Sequence, residues 1–335
     1  MRDEPEFEDT FAGDALDLGL WVPHYLPQWS TRERSAARYR VEGGVLRLRI
    51  EADQQPWCPE FDGEVRVSSL QTGVFAGPLG SRVGQHRFHP DAVVREEQES
   101  VRLYTPQCGR IETRFRALAD PRAMVALWLI GYEDEPERSA EICVCEIFGR
   151  DVGPGKAKVG MGVHPFGDPA IVDDFAAVQL PIDACELHVY AAEWTPAGVD
   201  FLVDGKVVRT VPQSPVYPMQ LMLGIYEFPP KDGNDAATGI YPKELVVDYV
   251  RGYRMIELGD DPLEVADLER QRDDLARDGR DEEHLARGRD RRDQLAGLPG
   301  DRLCAGEGEQ AAPAAVDEDD APVGAGADHA RRADA

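Results

Sequence analysis

The sequence lacks long hydrophobic runs and any surplus of basic residues, and these absences exclude several classes of protein. Its longest apolar run lies near residues 123–132, short of the roughly 18 residues that mark a transmembrane helix. The net charge of −26 opposes binding to nucleic-acid phosphates and to anionic membrane surfaces. We therefore expect no nucleic-acid partner and no membrane partner, while the charge says little about a neutral ligand such as a sugar.

A signal peptide and paired cysteines are also missing. The first residues, MRDEPEFEDTF, contain neither the basic region nor the apolar region that directs secretion. As it stands, the sequence predicts a cytoplasmic location, or an extracellular one if a leader is missing or a non-classical exit is used. The six cysteines include no Cys-x-x-Cys pair and no structural zinc spacing, which favours free thiols in a reduced compartment.

Aromatic residues are absent from the last 78 residues, 258–335, which carry 22 acidic and 11 basic side chains. A segment of this composition cannot bury enough apolar surface to offset the entropy lost on ordering. We therefore expect a folded domain over residues 1–257 and an acidic low-complexity tail over 258–335. The tail is expected to be partly helical to about residue 298 and disordered beyond it.

Helical periodicity is lacking before about residue 260, and the patterns there are those of strands. Residues 45–50 (VLRLRI) and 111–116 (IETRFR) alternate in the way half-buried strands do. Residues 124–130 (MVALWLI) are continuously apolar, which is typical of a strand covered on both faces. Residues 199–211 predict a hairpin whose Asp204-Gly205 pair suits a type I′ turn. These short strands predict an all-β sandwich or jelly roll built as one domain.

The stretch AEICVCEIFG, residues 140–149, holds the candidate chemistry. On a regular strand Glu141, Cys143 and Cys145 would share one face and Glu146 would point away. A bulge near Cys145 would instead align Glu141, Cys143 and Glu146. Two carboxylates on one face would then approach the separation of about 5–5.5 Å that retaining glycosidases use. Without such context, solvated charges on an exposed sheet edge are the better explanation of the two glutamates.

The pattern Glu-Ile-x-Val-x-Glu in this stretch resembles the Glu-Ile-Asp-Ile-x-Glu motif on the bulged strand of laminarinase-like members of glycoside hydrolase family 16. The resemblance continues, in order, over about residues 7–254. Its most specific segments are HVYAAEWTPAGVDFLVDGKVV (188–208) and VVDYVRGYR (246–254). The segments CGRIETRFRALADPRAMVALWLIG (108–131), GMGVHPFG (160–167) and FEDTFAGDALDLGLW (7–21) are also similar to the family.

This resemblance implies a two-sheet antiparallel jelly roll of the concanavalin A-like type, with a sugar polymer lying across its concave sheet. It implies that Glu141 is the nucleophile and Glu146 the acid/base. Cys143 stands where the family carries a helper acid that tunes the nucleophile. A neutral thiol is only a weak hydrogen-bond donor, so reduced or altered hydrolysis is expected.

Other positions follow from the same resemblance. Trp128 and His164 fall where the family has cleft-facing residues that contact substrate, although core packing and a surface histidine are alternatives. Trp194 is expected in the core. Asp248 matches a position that helps to hold a structural calcium ion, and a plain surface aspartate fits it equally well. No cofactor is required for catalysis.

The cleft also departs from the family pattern. Met124 occupies the position of a family tryptophan, Gly224 replaces a residue that is often polar, and residues 131–141 contain no tryptophan. Fewer aromatic platforms imply a weaker grip on a β-glucan, or a different sugar.

Three functional hypotheses remain. The first is a retaining endo-acting glycoside hydrolase, or a transglycosylase, that acts as a monomer on a β-linked polysaccharide or oligosaccharide. The second is a non-hydrolytic carbohydrate-binding or scaffold protein on the same fold. The third is a metal or redox site formed by Cys143, Cys145 and His164.

Overall fold

The computed structural model describes residues 4–230 and 240–255, and strands dominate this part of the chain. In chain order the strands are β1 (Phe7–Asp9), β2 (Arg38–Glu42), β3 (Val45–Ile50), β4 (Arg66–Gln71), β5 (Gly73–Val74), β6 (Val101–Arg102), β7 (Gly109–Arg116), β8 (Ala123–Gly131), β9 (Glu141–Phe148), β10 (Val152–Gly153), β11 (Lys156–His164), β12 (Asp174–Leu180), β13 (His188–Thr195), β14 (Gly198–Val203), β15 (Lys206–Val211), β16 (Met219–Glu227) and β17 (Lys243–Arg254).

Two antiparallel sheets contain nearly all of these strands. Sheet I has the order β15-β14-β13-β7-β17-β3-β2, with β1 also paired to β17. Sheet II has the order β10-β11-β9-β8-β16-β4, with β12 also paired to β11. Strands β5 and β6 form a separate pair. The all-β, two-sheet jelly-roll prediction is confirmed.

Alternating side chains from the two sheets build the main core between them. On β3, Leu46, Leu48 and Ile50 are buried in this core while the intervening residues are partly exposed. On β7, Ile111 and Phe115 are buried in the same cluster. The predicted period-two strands are therefore present, because one face of each strand of sheet I packs against sheet II.

Sheet II is covered on both of its faces. Along β8, Val125, Leu127 and Leu129 enter the main core. The alternate residues belong to a second apolar cluster on the opposite face, here called the site face. That cluster includes Met124, Ala126, Trp128 and Ile130 from β8 and Tyr25, Leu26, Trp29, Trp57 and Phe88 from connecting segments. Strand β8 is continuously apolar because both of its faces are buried.

The predicted hairpin is formed by β14 and β15. Asp204 and Gly205 connect them with φ angles of 49° and 75°, and Val203 pairs with Lys206. Positive φ at both central residues is the signature of a type I′ turn, so this prediction is confirmed.

Helices contribute little to the described part of the chain. The two α-helices, α1 (Arg32–Ser35) and α2 (Pro59–Asp62), have four residues each, and Pro27–Trp29 and Gly149–Asp151 are 3-10 turns. None of the described helices is long and apolar enough to cross a membrane. The predicted tail, 258–335, lies outside the described residues.

A buried ion cluster joins the two sheets at one end of the sandwich. The Nζ atom of Lys243 on β17 lies 2.8 Å from an Asp120 oxygen and 3.0 Å from a Glu227 oxygen on β16. All three side chains are buried. The Tyr241 hydroxyl donates to Glu227 at 2.8 Å. Removing one member of a buried ion pair leaves a charge without compensation, which is strongly destabilising.

We expect Lys243→Met to lower the free energy of unfolding by about 3–5 kcal/mol, because buried Asp120 and Glu227 lose their shared cation. The guanidinium groups of Arg66 and Arg122 still contact Glu227 in this variant. Urea denaturation checks this value. The control is Lys206→Met on exposed β15, which should stay within about 0.5 kcal/mol of the parent. Equal stability of the two variants would contradict a structural role for the cluster.

Candidate active site

A bulge in β9 sets the direction of the glutamates. Cys143 pairs with Trp128 on β8, and Cys145 pairs with the next residue, Leu127, so Val144 is the extra residue. Val144 and Cys145 both lie in the main core. The strand therefore presents Glu141, Cys143 and Glu146 together on the site face, as the bulge hypothesis predicts. These three residues are called the carboxylate row.

The bulge also separates the two cysteines that the metal or redox hypothesis combines. Cys143 belongs to the carboxylate row, whereas Cys145 is enclosed between the sheets. Among residues 4–230 and 240–255, no group of three or more His, Cys, Asp or Glu side chains is placed to hold a metal ion. The described structure does not bring Cys143, Cys145 and His164 together.

Strand β11 borders the carboxylate row along its whole length. His164 pairs with Glu141, Gly162 with Cys143 and Gly160 with Glu146. A Cβ atom at Gly160 would lie 2.5 Å from a ring carbon of Phe175. Glycine at this position therefore makes room for the Phe175 ring.

His164 is the cross-strand neighbour of Glu141, so both side chains lie on the same face of sheet II. Its ring stacks on Phe175, with centroids 4.9 Å apart. Its Nδ1 atom lies 3.0 Å from a carboxylate oxygen of Asp173. These two contacts hold the imidazole beside the carboxylate row.

Trp128 lies on the site face opposite Cys143, but it is only 1% exposed. Its Nε1 donates to the Tyr226 hydroxyl at 3.2 Å, and its ring packs edge-on against His86. Contact with substrate stays a prediction for this residue. Trp194 is buried in the main core, where the sequence placed it.

Burial is the main cause of the shifted pKa values of the two glutamates. It raises the pKa of Glu146 to about 8, although Arg150 opposes the shift. The pKa of Glu141 is held well above its ordinary value by burial first, then by the negative charges of Glu146 and Asp173. Because the charge of Glu146 acts on Glu141, the two carboxyls titrate as a pair. The row therefore keeps protons to a higher pH than exposed glutamates do.

Cys143 does not replace the helper acid with an equivalent contact. Its Sγ donates to the main-chain oxygen of Gly160 at 4.0 Å. Burial and the neighbouring glutamates raise the pKa of the thiol well above its ordinary value, so it is neutral. One buried oxygen of Glu141, Oε2, has no hydrogen-bond partner among the described residues. Glu141 thus lacks the donor that a helper acid would supply.

Aromatic rings lie at both ends of the carboxylate row. At the Glu146 end, Phe148 contacts Phe228 and the guanidinium of Arg150 covers its ring at 4.1 Å. At the Glu141 end, the exposed ring of Phe166 packs edge-on against His86. The sequence analysis assigned none of these five residues to the site. Phe166 and Phe148 stand in the quoted motifs GMGVHPFG and AEICVCEIFG, but nothing in the sequence marks His86.

Asp248 lies on β17 in sheet I, away from the carboxylate row. Its carboxylate accepts a hydrogen bond from Arg114 at 2.7 Å. Calcium is bound by six to eight oxygen ligands, and a guanidinium cation at this carboxylate repels it. The contact with Arg114 opposes a calcium ion at this carboxylate, and the metal assignment of Asp248 stays a prediction.

Comparison with known proteins gives three related matches. The family model for glycosyl hydrolases family 16 matches residues 100–246. A β-glucanase of Rhodothermus marinus is 23% identical over 178 residues, which cover 44% of this chain and 58% of that protein. The endo-β-galactosidase of Clostridium perfringens that releases GlcNAcα1-4Gal is 28% identical, with a TM-score of 0.64; the match covers 75% of this chain and 61% of that one.

The chain thus spans about three fifths of the length of these two relatives. The laminarinase of Rhodothermus marinus, 22% identical with a TM-score of 0.51 over 76% of this chain and 98% of that one, shares the fold. The segment from β7 to β17 carries the carboxylate row and both sheets' central strands. Over residues 100–246 the chain is therefore similar to glycosyl hydrolases family 16, in the family-model match and in its sequence and structural relatives.

Proposed function

We propose that this protein is a retaining, endo-acting glycoside hydrolase of β-linked polysaccharides. The observation that carries the proposal is the bulge in β9, which brings Glu141 and Glu146 to one buried face beside His164. Double displacement at an anomeric carbon requires two carboxyls on one face, of which one is ionised as the nucleophile and the other is protonated as the acid.

In the first step the ionised Glu141 attacks the anomeric carbon. The bond from that carbon to the leaving oxygen breaks, and the proton of Glu146 passes to this oxygen. In the second step the Glu146 carboxylate takes a proton from water, the water oxygen bonds to the anomeric carbon, and Glu141 is released. The raised pKa of Glu146 supports its role as the acid, because it keeps the proton at neutral pH.

The substrate class in this proposal is a polymer of β-linked glucose or galactose. The names of the relatives support it, since one is a β-glucanase and the other an endo-β-galactosidase. The aromatic rings at both ends of the carboxylate row are of the kind that pack on the apolar faces of sugar rings.

A second candidate is a non-hydrolytic carbohydrate-binding protein. The neutral thiol of Cys143 favours it, because Glu141 receives no donor from this position. Both candidates use the site face of sheet II, and they differ in whether the carboxylate row hydrolyses a bound polymer.

Incubation with laminarin, lichenan and agarose, with measurement of new reducing ends, tests the hydrolase. We expect turnover of at least one polymer, and losses of about 10³-fold or more in Glu141→Gln and Glu146→Gln, since each removes one of the two reacting groups. Exposed Glu186→Gln is the control and should match the parent. Reducing ends that survive both cleft variants, or that never form, would refute the hydrolase.

The buried carboxyl of Glu146 predicts a pH-dependent cost in stability. In the folded protein the pKa of Glu146 is about 8, above the ordinary value of 4.5. The unfolded chain therefore releases this proton at a lower pH than the folded protein does. Stability therefore falls as the pH rises from about 4.5 to about 8. Glu146→Gln should melt several degrees higher than the parent at about pH 8.5, and this gain should shrink towards about pH 5. Thermal melts at both values check it, and Glu186→Gln should show no such trend.

Replacing the thiol should restore a donor to the nucleophile. We expect Cys143→Asp to raise kcat by about tenfold or more, equivalent to about 1.4 kcal/mol in the barrier, because a carboxyl can donate to Glu141. Cys143→Ala, which removes the thiol and supplies no hydrogen-bond donor, is the matched control. Equal rates for both variants would show that the thiol is not what limits turnover.

A further inference from the structure

We propose that Phe166, with His86 and His164 beside it, forms a preorganised subsite for an uncharged hexopyranose at the Glu141 end of the carboxylate row. The inference rests on the proposed function in that the ligand belongs to the same polysaccharide. It goes further by naming the residues that select a sugar unit and the chemical class of that unit.

The ring of Phe166 is available to a ligand. It is 46% exposed, although apolar side chains around it are buried. Its centroid lies 4.8 Å from the ring of His86, which packs edge-on, and 6.0 Å from the ring of His164. His164 is in turn the cross-strand neighbour of Glu141. A sugar stacked on Phe166 would therefore lie next to the proposed nucleophile.

Backbone strain is concentrated at this place. Phe166, His86 and Glu133 have φ angles of 44°, 47° and 57°, and they supply half of the six non-glycine residues with positive φ in the described chain. They come from three separate connections. Residues held in the left-handed region cost free energy and cluster where function requires a particular geometry.

The segment that carries Phe166 is tied to the start of β9. The Gly167 N–H donates to the Ser139 hydroxyl at 2.9 Å. The Tyr217 hydroxyl donates to Asp168 at 2.7 Å and accepts from the Ala140 N–H at 2.8 Å. Ala140 directly precedes Glu141 in the chain. These bonds fix the distance from the Phe166 ring to the carboxylate row before any ligand arrives, which lowers the entropic cost of binding.

Glu133 fixes the other side of the subsite. Its carboxylate accepts a hydrogen bond from the His86 N–H at 2.5 Å. This contact supports the left-handed backbone of His86, whose ring lies between Phe166 and Trp128. Glu133 is therefore a positioning residue, and its amide variant retains the acceptor oxygen.

The surroundings of the subsite select against anionic sugars. Burial raises the pKa of Glu133 and of Glu141, so these two carboxyls add little negative charge near neutral pH. A sulfate or uronate group on the bound unit would still lose its hydration in this buried site and would meet the carboxylate of Asp173, which lies beside His164. An uncharged hexopyranose can pack its C–H face on Phe166 without this cost.

Binding measured on full-length protein silenced by Glu146→Gln tests the subsite without hydrolysis. Isothermal titration uses neutral laminari- and agaro-oligosaccharides and a sulfated carrageenan oligosaccharide as probes. We expect a neutral probe to bind, the sulfated probe to bind at least about tenfold more weakly, and added Phe166→Ala to weaken neutral binding by roughly tenfold.

Matched variants separate the subsite from general damage. Phe166→Tyr keeps the ring and should retain affinity. Val172→Ala, at another exposed apolar residue, should leave it unchanged. Glu133→Ala should weaken binding severalfold, whereas Glu133→Gln should retain most of the affinity. Full affinity in the Phe166→Ala protein, or binding of no neutral probe, would overturn the subsite, and equal affinity for the sulfated probe would overturn its charge selection.

The outcomes for subsite and hydrolase are distinguishable. If the parent protein releases reducing ends while Phe166→Ala binds normally, the hydrolase stands and the subsite falls. If Phe166→Ala loses affinity while the parent releases no reducing ends, the subsite stands on a carbohydrate-binding protein.

Discussion

The rest of the site depends on one constraint, the extra residue in β9 at Val144. Side chains of a strand alternate between its faces, so if the same sequence formed a regular strand without the bulge, Glu146 would point into the apolar core and Cys145 would take its place on the site face. With it, Glu141 and Glu146 share the site face while Ile142 and Ile147 still pack between the sheets. A single unpaired residue therefore reconciles a continuous core with two carboxyls on the same surface.

Burial then gives these carboxyls their chemistry and their cost. Sheet II is covered by the aromatic cluster on its site face, so the carboxylate row lies in surroundings that disfavour charge. The pKa values of Glu141 and Glu146 are raised, so the pair holds a proton to a higher pH than exposed glutamates do, and the thiol of Cys143 stays neutral and bonds to Gly160. The same low dielectric strengthens every interaction with a developing charge. The buried carboxyls therefore lower the stability of the fold at the place where the proposed reaction needs them.

Local pattern was enough for much of the fold. The alternation in β3, the double burial of β8 and the Asp204-Gly205 turn follow from side-chain period and turn chemistry, which act over a few neighbouring residues. The arrangement at the Glu141 end of the site could not be predicted from such local patterns. His86, Glu133 and Phe166 lie in connections without periodicity, and their meeting depends on contacts between segments up to 80 residues apart in sequence.

The sequence by itself determined the strand periods, the spacing of Glu141 and Glu146 and the substitution at Cys143, because these are properties of adjacent residues. It also showed that the two glutamates could share a face only through a bulge. Tertiary structure alone decided that the bulge falls at Val144, because register is set by pairing with β8 and β11 at once. It also decided that the thiol turns to Gly160 and that Phe166 meets His86, since each contact joins segments whose positions no local preference specifies.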